Sequence, residues 1–510
     1  MKILRLILGD QLNSNHSWFK NVDEEVIYVM AEMRQETDNV KHHIQKVVGF
    51  FLAMRNFSES LKKKGHRVEY FKISDGKNPQ NLQEIIQQLI QKHDLEKFEY
   101  QLPDEYRLDQ QLKSISQQLS IPTEAYDSEH FYTSRDELGQ FFKAKKQLLM
   151  ESFYRMMRKK HNIMMVGDQP EGGKWNFDQS NRKKWDGEPK IPKELNFKKD
   201  VTELITEIEK AEVTTFGNID PKNFNWPTTR KECQELLSFF CEKLVKHFGD
   251  YQDALHTEEK YLFHSRLSFA MNSKLLSPKE VIDTVLDHYY AHKGEINISQ
   301  VEGFVRQILG WREYMRGVYW KKMPNYSKLN HLENHNPLPK FFWDGNTKMN
   351  CLKKAIGQSL DDAYAHHIQR LMVIGNFALL TQTNPDEVDA WYLGVYIDAL
   401  EWVEITNTRG MSQYADGGLV ATKPYVSSAN YINKMGNYCK NCYYSHSKKI
   451  GKKACPLNAL YWNFLHEKRP FFEENPRMGM MLRLLDKKDP EELNALSERA
   501  EKIIKNPDAF

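Results

Sequence analysis

The α/β character of this chain begins with MKILRLILGD at residues 1–10, a short apolar run that ends in Gly-Asp. An apolar run of this length, bounded by a glycine, predicts a buried β-strand. Similar runs recur along the next hundred residues, and helix-like stretches separate them. We predict strands at residues 3–8, 26–30, 68–71 and 98–101 and helices at residues 42–64 and 81–92. This alternation predicts a parallel, Rossmann-like sheet covered on both faces, although no G-x-G-x-x-G fingerprint is present.

The rest of the 510 residues divides into two parts. Gly, Pro and Asn interrupt regular patterns in residues 131–225, which predicts a connector after an α/β domain at residues 1–130. From residue 226 onward apolar residues recur at intervals of three and four, which predicts an all-α domain at residues 226–510. Its predicted helices are residues 230–247, 278–291, 300–319 and 352–380.

Composition narrows the class of protein. The net charge is only +3, so any affinity for a polyanion must come from local patches. No apolar run reaches membrane-spanning length, and residues 1–10 are too short and too charged for a signal peptide. We therefore expect a cytoplasmic protein that does not associate with membranes and keeps its cysteines reduced.

Four of the six cysteines lie in the last third of the chain. Cys439 and Cys442 form a C-x-x-C pair, Cys455 follows 13 residues later directly before a proline, and Cys351 lies far upstream. Thiolates grouped in this way gain most by sharing a soft cation. Their spacing suits tetrahedral Zn²⁺ or a [4Fe–4S] cluster, and on spacing alone zinc is the commoner outcome.

The other two cysteines and the charges around the first four have simpler interpretations. Cys233 and Cys241 lie on an apolar helical pattern, which predicts core thiols. Lysines flank the cysteine group, where they could offset thiolate charge, meet phosphate or simply be solvated. They are Lys440, Lys448, Lys449, Lys452 and Lys453.

Aromatic and cationic residues are interleaved in the connector, where residues 171–185 read EGGKWNFDQSNRKKW. That composition is typical of a loop that contacts nucleic acid, and a solvated linker is the alternative. The residues of interest are Lys174, Trp175, Asp178 and Arg182.

Three motifs in the helical part carry further chemistry. HSRLSF at residues 264–269 and QILGWREY at residues 307–314 supply a hydroxyl and an arginine that would suit a diphosphate, as core packing also would. His366 and His367 lie inside a helical pattern, so their side chains point about 100° apart and cannot easily share a metal. One of them could act as an acid or base, and two structural histidines are the alternative. Trp391 and Tyr392 precede an acidic run, where indoles and phenols relay electrons or simply fill a core.

In this order the motifs resemble the photolyase/cryptochrome flavoproteins, and the resemblance covers essentially the whole chain. The four cysteines and residues 172–176 narrow the resemblance to the bacterial iron–sulfur branch, whose characterised members include (6-4) photolyases. The resemblance implies FAD in the helical domain, a [4Fe–4S] cluster rather than zinc, and a 6,7-dimethyl-8-ribityllumazine antenna in the α/β domain. UV-damaged DNA is the implied partner, and we expect a monomer.

The resemblance also implies roles for individual residues. FAD phosphates would lie near Tyr251, Ser265, Arg266 and Leu267, with Gln307, Trp311 and Arg312 nearby. The isoalloxazine side would be lined by Arg370, Asp398, Glu404 and Asn407, and electrons would reach it through Trp343, Trp391 and Tyr392. The cluster ligands would be Cys351, Cys439, Cys442 and Cys455, and the antenna contacts Asp10 and Glu36. DNA would contact Lys174, Trp175, Asp178 and Arg182, with Mg²⁺ or Mn²⁺ as a bridge at Asp178.

The implied activity is light-dependent repair of (6-4) photoproducts. A flipped lesion would receive one electron from excited, reduced FAD and a proton from His367, with His366 beside it. The HHIQR run resembles the His-His-x-x-Arg of animal (6-4) enzymes, but those have a further His where this chain has Leu371. The alternatives are a cryptochrome-type photoreceptor with the same cofactors and a zinc-stabilised nucleic-acid-binding protein without photochemistry.

Overall fold

A five-stranded parallel sheet forms the first part of the molecule in the computed structural model, which describes residues 1–145 and 147–510. Its strands are β1 (Ile3–Leu6), β2 (Val26–Ala31), β3 (Arg67–Phe71), β4 (Lys97–Gln101) and β5 (Thr123–Tyr126), in the spatial order β3-β2-β1-β4-β5. The four predicted strands are confirmed. The edge strand β5 was not predicted because its sequence, TEAY, is polar and largely exposed.

Both faces of the sheet are covered, as the sequence predicts. Alternate residues of a strand point to opposite faces. Side chains of β1 and β2 such as Leu4 and Val29 pack on one face against helices Leu82–His93 and Tyr106–Gln118. Tyr28 and Met30 of β2 join the opposite face, where helix Ile44–Lys63 packs.

The remaining chain is mainly helical. A helical turn at Arg34–Thr37 follows β2. The later helices are Glu137–Phe141, Met150–His161, Thr202–Lys210, Arg230–Phe239, Val245–Tyr251, Ser268–Asn272, Pro278–Ala291, Ile298–Val305, Glu313–Lys322, Phe341–Asp344, Asn350–Asp362, Asn376–Leu380, Pro385–Val395, Glu401–Ile405, Ala429–Met435, Pro456–Glu467, Gly479–Asp486 and Pro490–Lys505. Wider π-helical turns lie at Phe240–Leu244, Arg306–Arg312, Gln369–Gly375 and Thr406–Ser412. Short strands pair His42–His43 with Thr215–Phe216 and Met165–Val166 with Gln169–Pro170.

One predicted helix is wrong. Residues 352–380 do not form a continuous helix, because the chain leaves helix Asn350–Asp362 at Ala363, whose φ of 51° is left-handed. Helical structure resumes only at His367. No Gly or Pro marks the break, so the apolar periodicity of the sequence continues across it and predicts a helix where there is none. The break changes the geometry of the two histidines, because His366 precedes the new helix rather than lying inside one.

The connector is not a solvated linker over its whole length. Phe153, Tyr154 and Met157 of helix Met150–His161 are fully buried in the main core. The same core includes residues of helix Ile44–Lys63 and most of the helical part, so it extends across both predicted domain boundaries. The boundaries at residues 130 and 225 stay predictions.

Candidate active site

A largely buried ion pair joins Arg370 to Asp398 in the helical part. Arg370 Nη1 and Nη2 donate to the two carboxylate oxygens of Asp398 at 2.9 and 3.1 Å. Arg370 also donates through Nε to the Ala365 carbonyl at 2.6 Å, and its guanidinium lies 3.8 Å from the ring centre of Tyr396. Two parallel hydrogen bonds of this kind are strong and fix orientation. The predicted neighbours Arg370 and Asp398 are therefore brought together by the structure.

The histidines form a cluster beside this pair. The ring of His366 stacks on His264, with centroids 4.7 Å apart, and its backbone N–H donates to Gln369 Oε1 at 2.9 Å. His366 is buried, whereas His367 is accessible to solvent. Nδ1 of His366 and Nε2 of His264 have no hydrogen-bond partner among the described residues.

Both predicted acid–base histidines are neutral at neutral pH in the protein alone. The surrounding protein desolvates the His367 imidazole although the residue is accessible to solvent, and this desolvation and then the charge of Arg370 lower its pKa to about 4. Burial and the neighbouring histidines lower the pKa of His366 well below its ordinary value. The site therefore holds unprotonated imidazoles until a bound anion raises their pKa.

Glu404 supplies a buried carboxyl group on the same side of the molecule. Its pKa is raised well above the ordinary value by burial and then by the charge of Asp389, which favours the protonated carboxyl. Oε1 has no partner among the described residues. Asn407, three residues later, donates through Nδ2 to the Val403 carbonyl at 2.8 Å and is half-buried.

The residues predicted to lie near the FAD phosphates fall in two places: Tyr251 ends helix Val245–Tyr251, and Ser265–Leu267 directly precede helix Ser268–Asn272. Ser265 Oγ accepts from the Leu267 backbone N–H at 3.4 Å, and Leu267 is fully buried. Arg266 has a left-handed φ of 56° and donates to the connector carbonyl of Leu195 at 2.9 Å. Tyr251 is half-buried and its hydroxyl donates to the connector carbonyl of Glu188 at 3.3 Å. Hydrogen bonds to two connector carbonyls therefore hold the connector against these residues.

Gln307, Trp311 and Arg312 do not share one face. Gln307 donates to the Gly303 carbonyl at 3.3 Å, and the half-buried Trp311 packs edge-on against Tyr314. The Arg312 guanidinium instead lies 4.7 Å from the ring centre of Phe131 in the connector. Adjacent helical residues point about 100° apart, so Arg312 faces the domain boundary while Trp311 does not.

The predicted electron-transfer residues lead from the interior to the surface. Tyr392 donates its hydroxyl to the Arg370 carbonyl at 2.6 Å, and its ring lies 5.3 Å from Trp391. Trp391 is fully buried and donates Nε1 to the Phe342 carbonyl at 3.0 Å. Trp343, the next residue, is 43% exposed.

The four cysteines predicted as ligands surround one cavity. Cys351 and Cys455 are buried, whereas Cys439 and Cys442 are half-buried. The cavity is also lined by Met349, Ala429, Ile432, Tyr438, Tyr444, His446 and Leu457. Among the described residues, no three His, Cys, Asp or Glu side chains are grouped to hold a single metal ion. Cys233 and Cys241 are buried core thiols, as predicted.

A second and larger cavity of about 160 Å³ lies between the sheet and the helical part. Both predicted antenna residues line it: Asp10 follows β1 and Glu36 follows β2, at the carboxyl ends of the strands. Parallel sheets commonly bind ligands at these ends. Lys46 also lines the cavity, is only 6% exposed and donates to the Leu393 carbonyl at 2.6 Å.

The connector residues predicted to contact DNA lie together at the surface. Asp178 pairs with Arg182, and Arg306 Nη1 lies 3.3 Å from Asp178 Oδ1. Burial and then the charge of Asp178 raise the pKa of the nearby Asp253 to about 6. Trp175 is half-buried among cations, and Lys174 is exposed. The cations around Trp175 are Arg155, Arg158 and Lys159.

Comparison with known proteins identifies the arrangement. A family model described as deoxyribodipyrimidine photo-lyase-related protein matches residues 5–226. A (6-4) photolyase of Agrobacterium fabrum is 40% identical over 482 residues, which are 94% of this chain and 94% of that protein. The chain belongs to the photolyase family.

Solved structures confirm the predicted photolyase/cryptochrome architecture. A bacterial class III photolyase from Agrobacterium tumefaciens superposes with a TM-score of 0.56 at 12% identity and covers 99% of this chain and 98% of its own. A cryptochrome from Synechocystis sp. PCC6803 has a TM-score of 0.55 at 14% identity and covers 81% of this chain and 82% of its own. At these identities the likeness concerns the fold alone. Among the described helices, none combines the length and apolar character needed to cross a bilayer.

Several residues of this photolyase site were not predicted. His264 was noticed only as part of a motif, yet it stacks on His366. Tyr396 was missed although it supports Arg370, since an aromatic residue at the end of an apolar run usually fills a core. Lys46 could have been found, because it interrupts the buried face of an otherwise apolar helix. Asp253 gave no sequence signal.

Proposed function

We propose that this photolyase-family protein repairs (6-4) pyrimidine photoproducts in UV-damaged DNA in a light-dependent reaction. The observation that carries the proposal is the 40% identity over 94% of the chain to a (6-4) photolyase, together with the histidine cluster beside the Arg370–Asp398 pair. An enzyme that acts on a base lesion must take the lesion out of the helical stack. The accessible His367 beside the buried pair suits a pocket that accepts such a flipped group.

FAD fits the residues of the helical part. Nδ1 of His366, Nε2 of His264 and Oε1 of Glu404 are buried polar atoms without a partner among the described residues, and a ligand with polar ring edges would satisfy such groups. Arg370, Asp398, Glu404 and Asn407 would hold the ring system. The segment with Tyr251, Ser265, Arg266 and Leu267 would hold the phosphates, and Gln307 and Trp311 would line the adjacent slot. When bound, FAD supplies a light-excited electron donor.

His367 is the proposed proton donor to the lesion. It is neutral in the protein alone because desolvation by the surrounding protein and then the charge of Arg370 lower its pKa to about 4, although the residue is accessible to solvent. A negative charge that enters the pocket with the DNA would raise that pKa, so protonation of His367 would accompany substrate binding. His366, stacked on His264, would position it. His367 would therefore become an acid only when the substrate is bound, and would be unprotonated in the protein alone.

Trp391, Tyr392 and Trp343 are proposed to carry electrons toward the flavin site. Trp391 is buried between the Tyr392 ring at 5.3 Å and the Phe342 ring at 5.1 Å, and Trp343 adjoins Phe342 at the surface. A succession of oxidisable rings from surface to interior suits single-electron transfer. The same rings would otherwise serve only as core.

A [4Fe–4S] cluster is proposed at the four cysteines. All four thiols line one cavity together with other side chains. A four-iron cluster would be bound by thiols spread around it, whereas a single metal ion needs its ligands to converge on one atom. Cys351 comes from a helix far upstream of the other three, so the cluster would tie the last segment to the middle of the helical domain. The role proposed for the cluster is structural.

The antenna proposed for the interdomain cavity is 6,7-dimethyl-8-ribityllumazine. Asp10 and Glu36 line that cavity with many apolar side chains, which is the usual composition of a site for a planar ligand with polar edges.

For DNA we propose contacts from Lys174, Trp175 and Arg182. Asp178 would approach phosphate through Mg²⁺ or Mn²⁺, because a bare carboxylate repels it. We also propose that the protein is a monomer. We propose the cytoplasm as its compartment, because the proposed substrate is DNA.

The test is repair of a duplex that carries one (6-4) photoproduct, with a matched duplex that carries a cyclobutane dimer as control. Reduced protein under blue light should restore the (6-4) duplex, whereas the dark sample and the dimer duplex should stay unchanged. His367→Ala should keep flavin photoreduction and lose repair. No loss of the photoproduct under light would refute the proposal.

A cryptochrome-type photoreceptor is the second candidate function, favoured by the fold it shares with the Synechocystis cryptochrome. Such a sensor would show the same photoreduction but no light-dependent change in damaged DNA. The same experiment therefore separates the two functions. Repair at the wild-type rate by His367→Ala would remove only the acid role.

A further inference from the structure

The charge of this chain is unevenly distributed. Residues 417–466 contain seven lysines and no Asp or Glu, although the whole chain has a net charge of only +3, so the remainder is net negative. Three of the four clustered cysteines fall inside this acid-free segment. A run of like charge is often just a solvated face, so its placement in the fold decides whether it can bind anything.

Five of the seven lysines of this segment lie on one loop, residues 440–453. Lys440, Lys448 and Lys452 are exposed, and none of them has an ion-pair partner in residues 1–145 or 147–510. Lys449 is the exception, since it pairs with Glu492 at 2.9 Å. An unpaired cation on a surface is free to bind an anion, and several together raise the local potential.

The loop is held in one shape rather than left loose. The Ser445 backbone N–H donates to the Lys453 carbonyl at 2.7 Å, and that of Cys455 donates to the Ser445 carbonyl at 3.1 Å. Asn458 Nδ2 donates to the carbonyls of His446 and Lys448 at 2.8 and 2.9 Å. The lysines are thus presented by an ordered turn, which lowers the entropy lost when they bind.

The loop also continues the connector surface proposed to contact DNA. Thr257 donates through its backbone N–H and hydroxyl to Asn437 Oδ1 at 2.9 and 2.7 Å, just before the loop. The connector reaches the same place, because the ring of Trp185 packs edge-on against His256, with centroids 4.9 Å apart, and Lys184 directly precedes Trp185. Cations therefore extend from the connector to the cysteine loop, a span that suits a polyanionic strand.

We propose that residues 440–453 form a second phosphate-binding surface, which holds the DNA duplex beside the lesion. This inference rests on the proposed repair function and assigns the cysteine loop a direct part in it. Lys440, Lys448 and Lys452 contact backbone phosphates, so they add affinity without reading sequence or damage. The four cysteines, by fixing the ends of the loop, keep these lysines on the DNA side.

The experiment measures dark binding of the holoprotein to two duplexes, one with a (6-4) photoproduct and one undamaged, across a range of salt concentrations. The test variant is Lys440→Gln/Lys448→Gln/Lys452→Gln. Each phosphate contact contributes about 0.9 to the slope of log K against log salt, so three lost contacts lower the slope by about 2 to 3. At ~0.1 M salt each lost contact weakens binding about eightfold.

A control variant separates a local contact from a change of net charge. Lys63→Gln/Lys64→Gln/Lys77→Gln removes three exposed lysines that have no ion pair among the described residues and lie in the α/β domain. The inference predicts an unchanged slope for this control and an equal loss on both duplexes for the test variant. Iron and flavin absorption measured on the same samples show whether each variant is folded.

Three results overturn the inference while the repair function stands. The first is a test variant that binds with the wild-type slope, and the second is a control that loses as much as the test variant. The third is a test variant that loses binding only on the damaged duplex, since phosphate contacts do not distinguish the two duplexes. Wild-type protein that binds neither duplex overturns the proposed repair function, and the inference with it.

Discussion

Removal of one charge from the Arg370–Asp398 pair tests the centre of the site. Asp398→Asn keeps the shape of the side chain and leaves the Arg370 guanidinium, whose side chain is only 21% exposed, without a counter-charge. Breaking a buried ion pair in this way costs about 3 to 5 kcal/mol. The Ala365 carbonyl at 2.6 Å and the Tyr396 ring remain as partners of Arg370, so we expect the lower end, about 3 kcal/mol.

The assay is urea unfolding at pH 7 of the flavin-free protein, so that loss of a bound cofactor does not add to the difference. Arg370→Met should cost a similar amount, because it leaves a buried carboxyl group unpaired. The double variant should be less destabilised than the sum of the two by about 3 kcal/mol, since it leaves no unpaired charge. A surface control, Asp283→Asn, breaks the exposed pair with Lys279 and should cost less than about 0.5 kcal/mol.

Additive effects of the two single variants would refute this account of the site. The same holds if Asp398→Asn costs no more than the surface control. Either result would mean that the two side chains are solvated and do not form the paired support proposed for the ring system of the cofactor. If Asp398→Asn keeps its flavin spectrum, flavin binding does not depend on Asp398, and the proposed role of Asp398 in the binding site is wrong.

Three further predictions concern stability, the metal centre and electron transfer. Burial lowers the pKa of His43 to about 4, so its neutral form is favoured in the folded state. His43 should therefore contribute about 3 kcal/mol to the free energy of unfolding that is lost as pH drops from about 6.5 to 4, so the fall over this range should be smaller by about that amount in His43→Asn. Cys351→Ala should lose about four irons per chain, measured by metal analysis, whereas the core-thiol control Cys241→Ala should keep them. Trp391→Phe should bind flavin normally but lose its photoreduction, while Trp462→Phe, which replaces an indole outside the proposed electron path, should photoreduce as the wild type does.

Each of these predictions has an outcome that contradicts it. An unfolding free energy that falls as steeply between pH 6.5 and 4 in His43→Asn as in the wild type would mean that His43 is not held neutral by burial. Iron that survives in Cys351→Ala would place the cluster ligands elsewhere. Photoreduction at the wild-type rate in Trp391→Phe would require a different route for the electrons.

The sequence predicted the elements that repeat and missed those that depend on distant contacts. Four strands of the sheet were predicted because short apolar runs have a clear period, whereas the edge strand TEAY buries too little to show one. The helix proposed over residues 352–380 was wrong because Ala363 turns the chain without a Gly or Pro signal.

The candidate site was predicted where residue order carries information. Arg370 and Asp398 were expected together and lie 2.9 Å apart, because the motifs that contain them resemble a known family. The stacking of His264 on His366 could not be foreseen, since it depends on how two segments a hundred residues apart meet. Arg312 was placed beside Trp311 by the family resemblance, and in the structure its guanidinium lies 4.7 Å from the ring centre of Phe131 in the connector.

The most direct test of the account is a blue-light difference spectrum of the purified protein, recorded without oxygen and with an external reductant. The account predicts a yellow-brown protein whose oxidised-flavin band bleaches under light and recovers when oxygen is admitted. A colourless protein, or a flavin band that light does not change, would contradict the claim that the helical half encloses a photoreducible flavin.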